Sequence, residues 1–200
     1  MTAMRRFNLP MLLTWGRIAL IPVLVALFQV PGLDPVLANR LACAVFTVAA
    51  ITDAFDGYFA RRYGLTSRLG AFLDPVADKL MVCAALIVLL ELGRIQGLVA
   101  LVIIGREITV SALREWMAQL GAAGNVAVNS LGKVKTIVQM VAIPVLLFHD
   151  PLFRVVPVHL IGTFLAYVAA LLTVASMLVY LRMAWPHLAK EPGRGDSDRG

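Results

Sequence analysis

The amino-acid sequence predicts an all-α integral membrane protein, a bundle of six transmembrane helices, on three observations. Hydrophobic residues fill 60% of the 200 positions and charged residues 15%, against roughly 45–50% and 25% in soluble domains, and the mean hydropathy is +0.84. Six apolar runs recur, at about 9–29, 37–61, 72–91, 96–118, 133–149 and 157–184. Each provides close to the ~20 helical residues that cross about 30 Å of hydrocarbon. The runs are also continuous and rich in Leu, Ala and Val, without the period-two alternation of barrel strands.

The first run follows Arg5 and Arg6 in the manner of a secretory signal, but no small-x-small cleavage site follows Phe28-Gln29-Val30-Pro31-Gly32, so it stays a helix. The second ends in Asp53-Ala54-Phe55-Asp56-Gly57-Tyr58-Phe59-Ala60-Arg61, and the third carries Asp74 and Asp78, with Pro75 in its first turn or at a kink within it. The fourth contains Arg106, and the fifth starts near Gly132, Lys133 and Lys135. The sixth offers Gly162, Ala166, Ala169 and Ala170 for close helix packing, within a protomer or across a dimer. Short loops leave room for one domain, residues 1–185, followed by a polar tail, 186–200, that reads as a mobile cytoplasmic end.

Charge supports a membrane rather than nucleic acid as the partner. There are 18 Lys+Arg against 12 Asp+Glu, and with the N-terminus inside, only Arg40, Arg94 and Arg154 face outward. The positive-inside rule then places both termini in the cytoplasm. Cys43 and Cys83 lie in apolar runs without metal or disulfide spacing and read as packing residues. Trp15, Trp116 and Trp185 read as interfacial anchors, and the scattered His149, His159 and His187 as unsuited to ligation.

Four aspartates within twenty-six residues of such a chain require a common cause, because ionisable groups in spanning segments are costly and by default mark function. On a helix, Asp53, Asp56, Gly57 and Ala60 fall within roughly 100° of one another. Gly70, Asp74 and Asp78, spaced by four, form a second such face. Across the turn 62–69 the two faces are expected to meet antiparallel. Four converging carboxylates repel unless protonated or neutralised by cations, and oxygen ligands without His or Cys suit magnesium or manganese. The small residues leave space for a substrate to approach the backbone. Interfacial salt bridges to Arg61, Arg62, Arg68 and Lys79 are the competing explanation, less able to account for all four at this spacing.

The pattern Asp53-x2-Asp56-Gly57-x2-Ala60-Arg61-x8-Gly70-x3-Asp74-x3-Asp78 resembles the complete signature of the CDP-alcohol phosphotransferases. Asn8-Leu9-Pro10, Leu13-Thr14, Arg17, Gly105-Arg106-Glu107, Ser111-Ala112-Leu113-Arg114-Glu115 and Gly132-Lys133-Val134-Lys135-Thr136 are similar to bacterial members that act on glycerol 3-phosphate. Met11 departs from the Asn expected there. The likeness covers about 8–145, and the sixth helix carries no matching block.

The resemblance implies the six-helix fold of that family, a homodimer in the bacterial cytoplasmic membrane, and two divalent cations, Mg2+ or Mn2+, held by Asp53, Asp56, Asp74 and Asp78. It implies transfer of a phosphatidyl group from CDP-diacylglycerol to glycerol 3-phosphate, releasing CMP. Asp53, Asp56, Gly57, Ala60, Arg61 and Gly70 would meet CDP-diacylglycerol, and Asp78 would serve as the general base. Arg106, Lys133 and Lys135 would receive the acceptor phosphate. Lys133 and Lys135 do not share a helix face, but converge if Gly132 begins the helix. No Ser-His or Cys-His pair stands out, which favours direct displacement over a covalent intermediate. Thr14 and Arg17, one turn apart, either border the pocket with Asn8 or serve capping and snorkelling. The competing readings are a relative with another acceptor, such as a cardiolipin synthase, a cation or proton transporter, and an inactive scaffold.

Overall fold

A computed structural model of the protein describes residues 9–63, 68–119, 130–151 and 155–188. Within these, the side chains at 9–10, 54, 56–63, 68, 71, 130 and 186–188 lie outside the described set. Six helices follow one another: α1 (Leu9–Ala26), α2 (Pro35–Tyr63), α3 (Arg68–Glu91), α4 (Gly97–Gln119), α5 (Ser130–Phe148) and α6 (Val158–Leu188). Each coincides with one expected span. Local chemistry sets several boundaries: Asp34 caps α2, its carboxylate accepting the Leu37 amide at 3.0 Å, and Pro35 occupies the first helical position, where a missing N–H costs nothing.

Some boundaries differ from expectation. α3 begins at Arg68 rather than 72, so Pro75 lies inside the helix. α5 begins at Ser130, two residues before Gly132. α6 runs to Leu188, past the expected start of the tail at 186; residues 189–200 lie outside the described residues.

The polarity is that of a membrane protein. Large apolar side chains face outward, among them Leu98, Leu101, Phe164 and Leu171, while Thr14, Arg17, Asn39, Arg106, Lys135 and Gln139 are buried. Water would penalise such a coat, whereas lipid tails solvate it and polar groups turn inward. Among the described residues, three helices meet the length and hydropathy of a membrane span, in α2, α5 and α6. α3 and α4 carry Asp74, Asp78, Lys79, Arg106, Glu107, Arg114 and Glu115 instead, the charge that the site requires.

Packing is densest between α5 and α6, where Gly162 abuts Leu146: a Cβ at 162 would lie 2.9 Å from Leu146 Cγ. Among the described residues, α1 packs along both α2 and α3, and α2 and α3 touch each other at fewer positions. α1 thus packs as a wedge along both helices, and Asp53 of α2 and Asp78 of α3 still lie near enough to feel each other's charge; the rest of the expected α2 face, Asp56, Gly57 and Ala60, has side chains outside the described residues. Leu24, Phe46, Met81, Leu86, Leu89, Ile103, Ile143 and Leu146 form the main apolar core. A clasp closes one end of this core. Arg94 donates to Leu147 O at 2.9 Å and to Asn39 Oδ1 at 2.7 Å, and Asn39 Nδ2 donates to Asp150 at 3.1 Å. Arg94 therefore satisfies carbonyls at the α5 C-terminus, where a cation also meets the negative end of the helix dipole.

Candidate active site

The acidic end lies opposite that clasp: Asn39 and Asp53 are fourteen residues apart on α2, about 21 Å of helical rise. Three helices supply its described groups. Asp53 comes from the second half of α2, and Asp74 and Asp78, one turn apart, from α3. α1 contributes the groups that meet them. Arg17 Nη1 lies 2.5 Å from Asp53 Oδ1, with the arginine buried and the aspartate 41% exposed. Thr14 Oγ1, fully buried, donates to Asp74 Oδ1. Thr14 and Arg17 are therefore neither caps nor snorkelling groups, because they point inward and engage two of the four signature carboxylates.

Asp78 faces the middle of the bundle, where it feels the charges of Asp53, Glu107, Arg17 and Lys135. It thus joins Asp53 of α2 and Asp74 of α3 to a second, basic region. Gly70 is buried on α3. Asp56, Gly57, Ala60 and Arg61 belong to α2, but their side chains lie outside the described residues, and so does Asn8.

The second region is a chamber of about 800 Å³ between α3, α4, α5 and α6, and Asp78, Lys79, Arg106, Arg114 and Lys133 are on its wall. Glu107, Glu115, Gly132 and Tyr180 also line it. It is large enough for a small-molecule ligand, since pockets of that kind occupy roughly 300–1,000 Å³. Arg106 is buried and Lys133 exposed, so one is fixed by packing while the other reaches the opening.

Lys135 is placed differently from Lys133. It is fully buried and donates to Glu107 Oε1, whose other oxygen lies 3.6 Å from Arg106 Nη1. Lys135 is not on the chamber wall. The convergence of the two lysines depended on a helix beginning at Gly132. With the helix starting at Ser130, a two-residue separation turns them to different faces.

Four participants carried no role in the sequence reading. Glu107 and Arg114 stand in recognised blocks, next to and eight residues after Arg106, but only the folded chain shows that Glu107 pairs with Lys135. Ser176 and Tyr180 lie in α6, where no block was recognised. Their spacing of four is the available signal, because it aligns two polar groups on one face of a largely apolar helix.

Asp53, Asp74 and Asp78 offer only hard carboxylate oxygens, and Arg17 already supplies positive charge at Asp53, where the acids need it. That chemistry fits Mg2+ or Mn2+. Among the described residues no three such ligands form a ready-made cluster, and Asp56 lies outside them.

Known proteins resemble the chain over most of its length. The family model described as CDP-alcohol phosphatidyltransferase matches residues 7–185. A CDP-diacylglycerol–glycerol-3-phosphate 3-phosphatidyltransferase of Pectobacterium atrosepticum is 48% identical over 181 residues, 90% of this chain and 96% of the relative. Proteins of the same name from Salmonella choleraesuis and Shigella flexneri serotype 5b are each 47% identical over the same shares.

Proposed function

The chain belongs to the CDP-alcohol phosphatidyltransferase family, and on that premise we propose that it transfers the phosphatidyl group of CDP-diacylglycerol to glycerol 3-phosphate, giving phosphatidylglycerol phosphate and CMP. One observation carries the reading: Asp78, a signature acid, shares a single chamber with Arg106, Arg114 and Lys133. A phosphorylated alcohol brings about two negative charges and a hydroxyl. The chamber offers cations for the first and a carboxylate for the second.

In this reading Asp53, Asp56, Asp74 and Asp78 hold two divalent cations, Mg2+ or Mn2+. When bound, the metal neutralises charge on the diphosphate and makes CMP a better leaving group. Arg17 and Thr14 fix the rotamers of Asp53 and Asp74 and keep the ligand oxygens preorganised. Gly57, Ala60 and Gly70 give room for the cytidine end of the lipid donor, with Arg61 donating to a phosphate oxygen. Arg106, Arg114 and Lys133 bind the acceptor phosphate. Lys135 holds Glu107 at the chamber wall and so acts on the acceptor indirectly. Asp78 accepts the proton of the attacking hydroxyl as the oxygen approaches the lipid-side phosphorus, and the bond to CMP breaks in line. The protein works as a homodimer in the bacterial cytoplasmic membrane, with both termini and the chamber toward the cytoplasm, where the water-soluble acceptor is.

The test is CMP release from CDP-diacylglycerol in detergent with Mg2+ and a panel of acceptors: glycerol 3-phosphate, inositol phosphate, serine and phosphatidylglycerol. Release with glycerol 3-phosphate and not with phosphatidylglycerol is the expected result. The reverse pattern would replace this reading with that of a cardiolipin synthase.

A further inference from the structure

The two arginines of the chamber share an unusual support. Arg106 and Arg114 stand eight residues apart on α4, which separates their roots by about 12 Å along the helix and about 80° around it. Both guanidinium groups nonetheless lie over the same ring, that of Tyr180 on α6, at 5.7 and 5.1 Å from its centroid. The Tyr180 hydroxyl also accepts a hydrogen bond from Arg114 Nη2 at 2.6 Å. One turn earlier on α6, Ser176 Oγ accepts from Arg106 Nη2 at 3.4 Å. Tyr180 itself is fully buried. Two like charges drawn toward one point repel, and in a site poor in water the repulsion is large. The electron-rich face of an aromatic ring offsets it without adding an anion that would compete for the ligand.

We infer that Tyr180, with Ser176 one turn away, is a positioning residue that holds Arg106 and Arg114 as a preformed receptor for the phosphate of the acceptor. The inference rests on the reading given under Proposed function and adds α6 to the residues that determine acceptor affinity. Glu107 already lies 3.6 Å from Arg106; a tyrosine in this position adds no further anion, whereas another acid would neutralise the arginines. Its ring fixes where they sit, and its hydroxyl fixes which nitrogen of Arg114 is already occupied. Gly132 belongs to the same device. A Cβ added there would meet Tyr180 Oη at 3.3 Å and Arg106 Nη2 at 3.6 Å, so the absence of a side chain leaves the clamp its room.

Steady-state kinetics of the full-length protein in detergent, varying each substrate separately, test this. Tyr180→Phe keeps the ring and loses the charge-assisted hydrogen bond. It is expected to raise KM for glycerol 3-phosphate about tenfold, with kcat and the KM for CDP-diacylglycerol within about threefold of wild type. Tyr180→Leu removes the ring as well and is expected to raise the same KM further. Gly132→Ala guards against a merely structural effect, because alanine favours the helix. Its melting temperature should hold or rise while the KM for glycerol 3-phosphate rises.

An unchanged acceptor KM in both Tyr180 variants would overturn the inference and leave the proposed reaction intact. Equal rises in both substrates' KM values would overturn it too, by making Tyr180 a general packing residue. A wild-type protein that releases CMP only with unphosphorylated acceptors would remove the proposed function and the clamp together.

Discussion

The Lys135–Glu107 pair separates two roles for one lysine, contact with substrate or support of the site, and a substitution decides between them. Lys135 has no exposed surface, while the Glu107 side chain is 19% exposed and keeps a weaker partner in Arg106 at 3.6 Å. Lys135→Met leaves a largely buried carboxylate with only that partner. Breaking a buried pair in this way costs about 3–5 kcal/mol, and the residual Arg106 contact puts the expected loss near the lower end, about 3 kcal/mol. At about 2–4 °C per kcal/mol for a chain of this length, the melting temperature in detergent should fall by about 6–12 °C. The double variant Lys135→Met/Glu107→Gln removes the stranded charge and should recover most of that loss, since a buried pair replaced as a unit is often neutral. The assay is thermal unfolding of wild type, both single variants and the double variant, giving the coupling energy directly. A Lys135→Met protein with wild-type stability and a strongly raised KM for glycerol 3-phosphate would refute the reasoning and return Lys135 to direct contact with the acceptor.

Three further outcomes follow from other parts of the molecule. Thr14→Val removes the donor to Asp74 and should lower kcat/KM for CDP-diacylglycerol by about tenfold or more, while Thr14→Ser retains most activity; equal activity in both would separate Thr14 from the site. Gly162→Ala puts a methyl 2.9 Å from Leu146 Cγ; overpacking outweighs the gain in helix propensity, and a net loss of about 1 kcal/mol is expected, so a raised melting temperature would contradict the close α5–α6 approach. His149 lies beyond the end of α5, where burial, then the Arg94 charge and His159, hold its imidazole below the ordinary histidine value. The folded state then binds fewer protons there than the unfolded chain, so its stabilising contribution is complete above about pH 6.5 and is lost as pH falls through the folded value. His149→Asn, which tolerates the positive φ of 56° at that position, should flatten the decline in melting temperature as pH falls below about 6.5, and parallel declines would exclude His149 as a contributor.

Much of this molecule was legible before folding because a bilayer imposes coarse rules. A chain that must satisfy its backbone inside hydrocarbon has few solutions, and hydropathy alone located all six helices to within a few residues. The spacing of Asp53, Asp74 and Asp78 marked the acidic centre for a similar reason, since nothing in lipid tolerates such charge without a purpose. What sequence could not convey is which helix stands beside which. The chain order α1, α2, α3 does not show that α1 packs against both of the others, and only through that packing do Thr14 and Arg17 meet Asp74 and Asp53. Lys133 and Lys135 illustrate the same limit over two residues: their divergence depends on where α5 begins, and helix ends are weakly encoded. Tyr180 was least visible, because its spacing from Ser176 marks a polar face of α6 but not the two arginines, 66 and 74 positions earlier in the chain, that the face meets.

Analysis of the lipid product tests the account most directly. Purified protein in detergent, given CDP-diacylglycerol, glycerol 3-phosphate and Mg2+, should form phosphatidylglycerol phosphate and an equal amount of CMP, both measured by mass spectrometry. Asp78→Asn, folded to the same melting profile, should form them about 10²- to 10⁴-fold more slowly. Absence of phosphatidylglycerol phosphate from the wild-type reaction, or its formation at the same rate by the variant, would contradict the role assigned to the chamber and its acid.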